Sequence, residues 1–154
     1  MFNPYLYLQF WAAKNNLPCF CSKYKTYSIF KTQEDYKAFE NYRKISNKRN
    51  KHSISLPAVA TLEFCKPCES NVRINVGIKT PNDEIDYELQ QGHDYEYPEN
   101  EYEEWDPSEC IETRWKTTKV QDDGTIVWHK TQHVISFEEF YVKFMNLLEK
   151  FVNM

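Results

Sequence analysis

Between Thr80 and Thr113 the sequence carries thirteen Asp or Glu residues and no Lys or Arg. Such a run repels itself, so it belongs at the surface, either as a solvated extended segment or against a basic surface of this chain or of a partner. The rest of the chain has the opposite balance: residues 1–79 hold thirteen Lys/Arg against five Asp/Glu, and residues 114–154 hold six against five. A formal net charge of -4 therefore conceals a segregated layout. Tyr87, Tyr95, Tyr97, Tyr102 and Trp105 are interleaved with the acids, more aromatic surface than a solubilising tail needs.

A length of 154 residues corresponds to one compact domain, residues 1–154, in which the acidic aromatic segment occupies about 80–112. Aromatics at 16% supply enough large side chains for a core. Three glycines, Gly77, Gly92 and Gly124, cannot form the glycine-rich loops that cradle nucleotide phosphates. No uncharged stretch approaches the roughly 18 to 20 apolar residues of a membrane span, and the apolar start MFNPYLYLQFWAAK lacks the basic head of a signal peptide. The expectation is a protein that does not enter the membrane. Five cysteines, with pairs at C-x-C and C-x-x-C spacing, fit reduced thiols or a metal better than a secreted disulfide framework. An intracellular setting, cytoplasmic or nuclear, follows as the expected one.

Periodicity and end signals predict three helices. Asn3-Pro4 reads as an N-cap and first helical position, and Leu6, Phe10, Ala13 and Leu17 repeat on one face of a helix over 4–16. Thr32 and Asp35 open a second helix over 33–46. Ser136 with Glu139, and Ile135 with Phe140, supply a capping box and hydrophobic staple for a last helix over 137–152, with a stripe through Phe140, Phe144, Leu147, Leu148 and Phe151. Alternation predicts strands over 58–64 and 72–78, and Asp123-Gly124 predicts a hairpin joining 113–120 to 125–135. The sum is an α+β domain with an antiparallel sheet of about four strands packed against N- and C-terminal helices.

Three constellations are candidates for chemistry. Zinc takes four thiolate or imidazole ligands in a tetrahedron, and Cys65 and Cys68 form the C-x-x-C turn that places two sulfurs on one ion. Cys19 and Cys21 complete a structural site if Pro18 starts a tight turn, with His52 as a substitute ligand; inert buried cysteines are the alternative. Arg43, Lys44, Lys48, Arg49 and Lys51 gather five bases in nine residues, a candidate nucleic-acid contact or an internal counterpart of the acids. Tyr95, Tyr97, Glu101, Tyr102, Glu103, Glu104 and Trp105 form a candidate surface for a partner, in which charge steers and aromatics hold. His129 and His133 fall within one predicted strand, about 13 Å apart, too far to share an ion. Lys130 stands where a zinc hydrolase motif needs Glu.

Residues 4–24, PYLYLQFWAAKNNLPCFCSKY, resemble the first helix and following turn of double-stranded-RNA-binding domains, with Lys14 and Pro18 at K-x-x-x-P spacing before the aromatic Tyr24. The likeness implies an α-β-β-β-α core. It does not carry RNA binding, because the last helix opens on Glu138 and Glu139 where that family places phosphate-binding lysines. The leading expectation is a non-enzymatic interaction protein that binds a basic partner, itself able to bind nucleic acid, as an inhibitor or nucleic-acid mimic. Direct RNA or DNA binding through residues 43–51 with a structural zinc comes second, and a metal-dependent hydrolase third.

Overall fold

The computed structural model describes residues 3–22, 26–46, 59–65, 74–81, 84–97 and 102–154. They form an α+β fold with seven antiparallel strands, not about four: β1 (Cys19–Cys21), β2 (Thr26–Phe30), β3 (Thr61–Cys65), β4 (Ile74–Lys79), β5 (Ile85–Tyr97), β6 (Tyr102–Val120) and β7 (Ile126–Ile135). The strands lie side by side in chain order, each pairing only with its sequence neighbours. Helix α1 (Pro4–Lys14) precedes the sheet, α2 (Gln33–Ser46) lies between β2 and β3, and α3 (Phe137–Val152) ends the chain. The α-β-β-β-α order implied by the resemblance is therefore not found; α2 interrupts the strands, and seven are present.

The strands that periodicity predicts are present, and those that it misses have definite causes. The β1–β2 hairpin is short, and its register pairs Cys19 with Ile29 and Cys21 with Tyr27. Strand β5 begins Ile85-Asp86-Tyr87-Glu88-Leu89, an apolar–acidic alternation that fits a strand with one buried face but also reads as part of a charge run. Most of the acidic segment is thus sheet. Tyr87 and Leu89 pack with the core while their acidic neighbours alternate away from it.

Helices α1 and α3 cover one face. The core joins Leu8, Ile29, Leu62, Phe64, Val76, Leu89, Phe140, Phe144 and Phe151, all 2% exposed or less. Ser136 caps α3 by accepting a hydrogen bond from Glu139 N at 3.1 Å, and the stripe from Phe140 to Phe151 is buried as expected. Helix α1 is capped by Asn3, whose side chain accepts from Leu6 N at 3.2 Å. Its buried face is Tyr5, Leu8 and Ala12, not the expected stripe, and Leu6 and Phe10 are exposed. The helix is apolar on every side and carries no charge before Lys14, so periodicity alone does not fix which face turns inward. It stops at Lys14 because Asn16 takes a left-handed conformation at φ 55°.

Helix α2 packs on the opposite face at the β1–β2 edge, where Phe39 lies 5.2 Å from Phe30 and 5.4 Å from Phe20, ring centre to ring centre. At the other edge the β6–β7 hairpin turns at Asp122 to Thr125. Gly124 adopts φ 87°, and the Asp123 carboxylate accepts from Thr125 N at 2.9 Å. Residues 126–130 of β7 are exposed, so this end of the hairpin projects past the core.

Candidate functional site

The outer part of the acidic segment, residues 93–97 with 102–106, is a two-stranded ribbon growing out of the sheet. Among the described residues β4 pairs with β5 as far as Gln91, opposite Ile74, and β7 pairs with β6 as far as Cys110, opposite Ile135. Beyond these rungs β5 and β6 continue with each other: His93 opposite Asp106, Asp94 opposite Trp105, Tyr95 opposite Glu104, Glu96 opposite Glu103, and Tyr97 opposite Tyr102. At the junction Gly92 has φ 78° and the register jumps, three β6 residues standing opposite one on β5. Such an irregularity bends a strand and leaves backbone unpaired. The ribbon backbone thus joins most of the candidate partner residues; Glu101 lies outside the described residues. Directly opposed acids such as Glu96 and Glu103 are unfavourable within a hairpin.

On the helix-covered face, at the base of the ribbon, lies a second feature that the sequence did not single out. Glu112 on β6 is 4% exposed. Its Oε1 accepts from Nε of Arg114 at 3.1 Å and lies 2.9 Å from Nη2, while Oε2 pairs with the ammonium of Lys143 on α3. Burial pushes the Glu112 pKa up; the hydrogen bond and charge of Lys143, with the charge of Arg114, outweigh it and hold the carboxyl below its ordinary range. The Arg114 guanidinium also covers the Tyr87 ring, 4.6 Å from its centre. Tyr87 in turn is pushed up to about 12, by burial first and by the Glu112 charge second. Above this group a cleft of about 570 Å³ opens between α3 and the β5–β7 strands, lined among others by Arg114, Lys116, Lys143 and Lys150. Arg114 and Lys116 alternate onto one side of β6, while Lys143, Asn146, Leu147 and Lys150 follow helical spacing along α3, so register and helix face together assemble a site from two distant segments.

The described cysteines of the proposed site do not share one face of the sheet. Cys19 and Cys21 stand at i and i+2 of an extended strand, hence on one face, with no tight turn needed to align them. Their partners Ile29 and Tyr27 belong to the helix-covered side, and Cys19 lines a small cavity there with Leu8, Ala12, Tyr27 and Phe64. Cys65 pairs in register with Thr26, one position out of phase, and its sulfur is 4.0 Å from the Thr26 hydroxyl on the opposite face. A single ion bound by Cys19, Cys21 and Cys65 would have to be reached from both sides of the sheet. Cys68 and His52 lie outside the described residues, among which no cluster of three potential ligands occurs.

The basic run is only partly described. Arg43 lies 4.2 Å over the Phe20 ring and Lys44 pairs with Glu40 at 3.3 Å, so both cations are engaged within the chain. Lys48, Arg49 and Lys51 lie outside the described residues. His129 and His133 occupy β7 opposite Lys116 and Glu112, separated along the strand as expected. Among the described residues no helix is long and apolar enough to cross a membrane. Comparison with known proteins gives no family model, no curated protein and no solved structure that matches the chain.

Proposed function

We propose that this chain is a non-enzymatic interaction protein that binds a basic partner protein through the acidic β5–β6 ribbon, occupying the partner's nucleic-acid-binding surface as a mimic. The observation that carries the reading is the extension of that ribbon past β7, and among the described residues past β4 as well, within a segment of thirteen acids and no bases. A two-stranded arm can enter a groove that a broad sheet cannot, and carboxylates in place of phosphates draw a cationic groove from a distance. The aromatic positions of the arm, Tyr95, Tyr97, Tyr102 and Trp105, supply anchors of the type that hold interfaces together. Five cysteines, with pairs at C-x-C and C-x-x-C spacing, suit a reducing, intracellular setting.

Competition tests the reading. Nucleic-acid-binding proteins captured by the chain should be released by added duplex DNA or RNA, and binding should weaken steeply between about 50 and 200 mM salt. Converting Glu103 and Glu104 to Gln should slow association and flatten the salt dependence, whereas Trp105→Ala should chiefly speed dissociation. Capture that survives both nucleic acid and the double substitution rejects the mimic.

A further inference from the structure

We infer that the cleft between α3 and the β5–β7 strands is a binding site for a small phosphate ester, separate from the acidic ribbon. Its volume of about 570 Å³ lies within the range of small-molecule sites, roughly 300 to 1,000 Å³. Four cations reach it from two elements, Arg114 and Lys116 from β6 and Lys143 and Lys150 from α3, against the carboxylates of Asp86 at its lining and Glu112 behind it. The excess of positive charge matches a dianion.

The cations are also held in place. The buried Glu112 carboxylate fixes both the Arg114 guanidinium and the Lys143 ammonium, so part of the entropy of ordering these long side chains is lost on folding and not on binding. Glu112 takes Nε and Nη2 of Arg114, and among the described residues Nη1 has no acceptor. Lys116 and Lys150 form no ion pair among the described residues. A tetrahedral phosphate accepts hydrogen bonds from several directions, which suits one guanidinium nitrogen and several ammonium groups spread around a cleft. A planar carboxylate is best met by the side-on edge of arginine, which is already occupied.

The walls limit the rest of the ligand. Its two aromatics are Tyr87, whose ring carries Arg114 on one face, and Trp115, whose ring has the Lys130 ammonium 5.9 Å from its centre, and Leu147 is 4% exposed. Single-stranded nucleic acid is held by successive open aromatic faces, and the cleft does not present such a row. A compact phosphate monoester or diphosphate fits these constraints better than an oligonucleotide or an acidic peptide.

Titration of the full chain, followed by amide NMR shifts, tests this with inorganic pyrophosphate, AMP, adenosine, a 16-nucleotide single-stranded RNA and a peptide of residues 93–106 as probes. Pyrophosphate and AMP should bind with Kd below about 1 mM and shift amides of β6 and the C-terminal half of α3. Adenosine should bind at least about tenfold more weakly, since it lacks the phosphate. Lys116 and Lys150 are exposed, so the K116Q/K150Q double variant should fold as the parent does and lose about tenfold in affinity for pyrophosphate. Affinities of the variant equal to those of the parent, no saturation by pyrophosphate or AMP up to about 10 mM, or tighter binding of the RNA or the peptide than of both would each overturn the proposal.

Discussion

Lys143 on α3 binds the carboxylate of Glu112 on β6, tying the last helix to the strand that carries the acidic ribbon. The two partners are not equivalent. Glu112 is buried, whereas the Lys143 side chain keeps about a third of its surface in solvent (34%). Removing the ammonium leaves a buried carboxylate with Arg114 as its remaining cation, while removing the charge of Glu112 leaves two cations that can turn toward water. Lys143→Met should therefore destabilise the fold by about 1 to 3 kcal/mol and Glu112→Gln by less, an order that urea unfolding of both variants checks.

The same pair gives stability a defined pH dependence. Because the folded state holds the Glu112 pKa below its ordinary 4.5, the unfolded chain binds this proton more readily. The contribution is complete above the unfolded value and is lost as pH falls through the folded one. Glu112→Gln should remove part of the acid sensitivity below about pH 4.5, which thermal melts of parent and variant between about pH 3 and 7 will read directly.

Phe144 is fully buried in α3, stacking on Phe140 at 6.0 Å and meeting the edge of Tyr7 at 5.8 Å. Truncation to Ala removes that packing and leaves a cavity in a close-packed core. Phe144→Ala should cost about 3 to 5 kcal/mol by chemical denaturation, a large share of the stability of a domain this size.

Helix α3 was legible because its signals agree: Ser136 caps, Glu139 follows at the third position, and five large apolar residues repeat on one face. Strand β5 was less so, since the same residues that alternate across a sheet, Asp86-Tyr87-Glu88-Leu89, also make a charge run, and only pairing decides between the two. Helix α1 shows a different limit. Its start was readable from Asn3 and Pro4, though it ends at Lys14 and not at residue 16, and Leu6 and Phe10 compete with Tyr5 and Leu8 for the core, where sheet contacts choose. The cleft was least accessible: Arg114 and Lys143 lie 29 positions apart, and nothing local connects them before Glu112 is placed between β5 and α3.

The thiols should differ in reactivity in a way that follows from their places on the sheet. Burial first, then the neighbouring Cys21 and the Glu63 charge, push Cys19 up to about 11, although the residue retains exposed surface. Burial alone pushes Cys110 up to about 11. Relative to a thiol titrating at its ordinary 9.0, either holds about a hundredfold less thiolate at neutral pH, and the thiolate is the reacting form. Iodoacetamide at pH 7.5 to 8 (approximately) should label both sites far more slowly in the native protein than in about 6 M urea, with Cys110, 1% exposed, the slower of the two by mass spectrometry.

Gly92 sits where the seven-stranded sheet gives way to the acidic ribbon, and its φ of 78° is one that side chains rarely adopt. The register jump between Gln91 and His93 depends on that conformation, since the residue must carry the β5 chain past three residues of β6. A Cβ at this φ costs about 1 to 2 kcal/mol, less for Asn, which tolerates the left-handed region, and most for a β-branched residue. Stability should therefore fall in the order Gly92, Gly92→Asn, Gly92→Ala, Gly92→Val. If the bend also aims the ribbon, the Ala and Val variants should bind a nucleic-acid-binding partner more weakly than the folded fraction measured by circular dichroism accounts for. Equal stability of Gly92→Val and the parent would mean that the junction does not need a left-handed residue, and the ribbon would then leave the sheet by some other geometry.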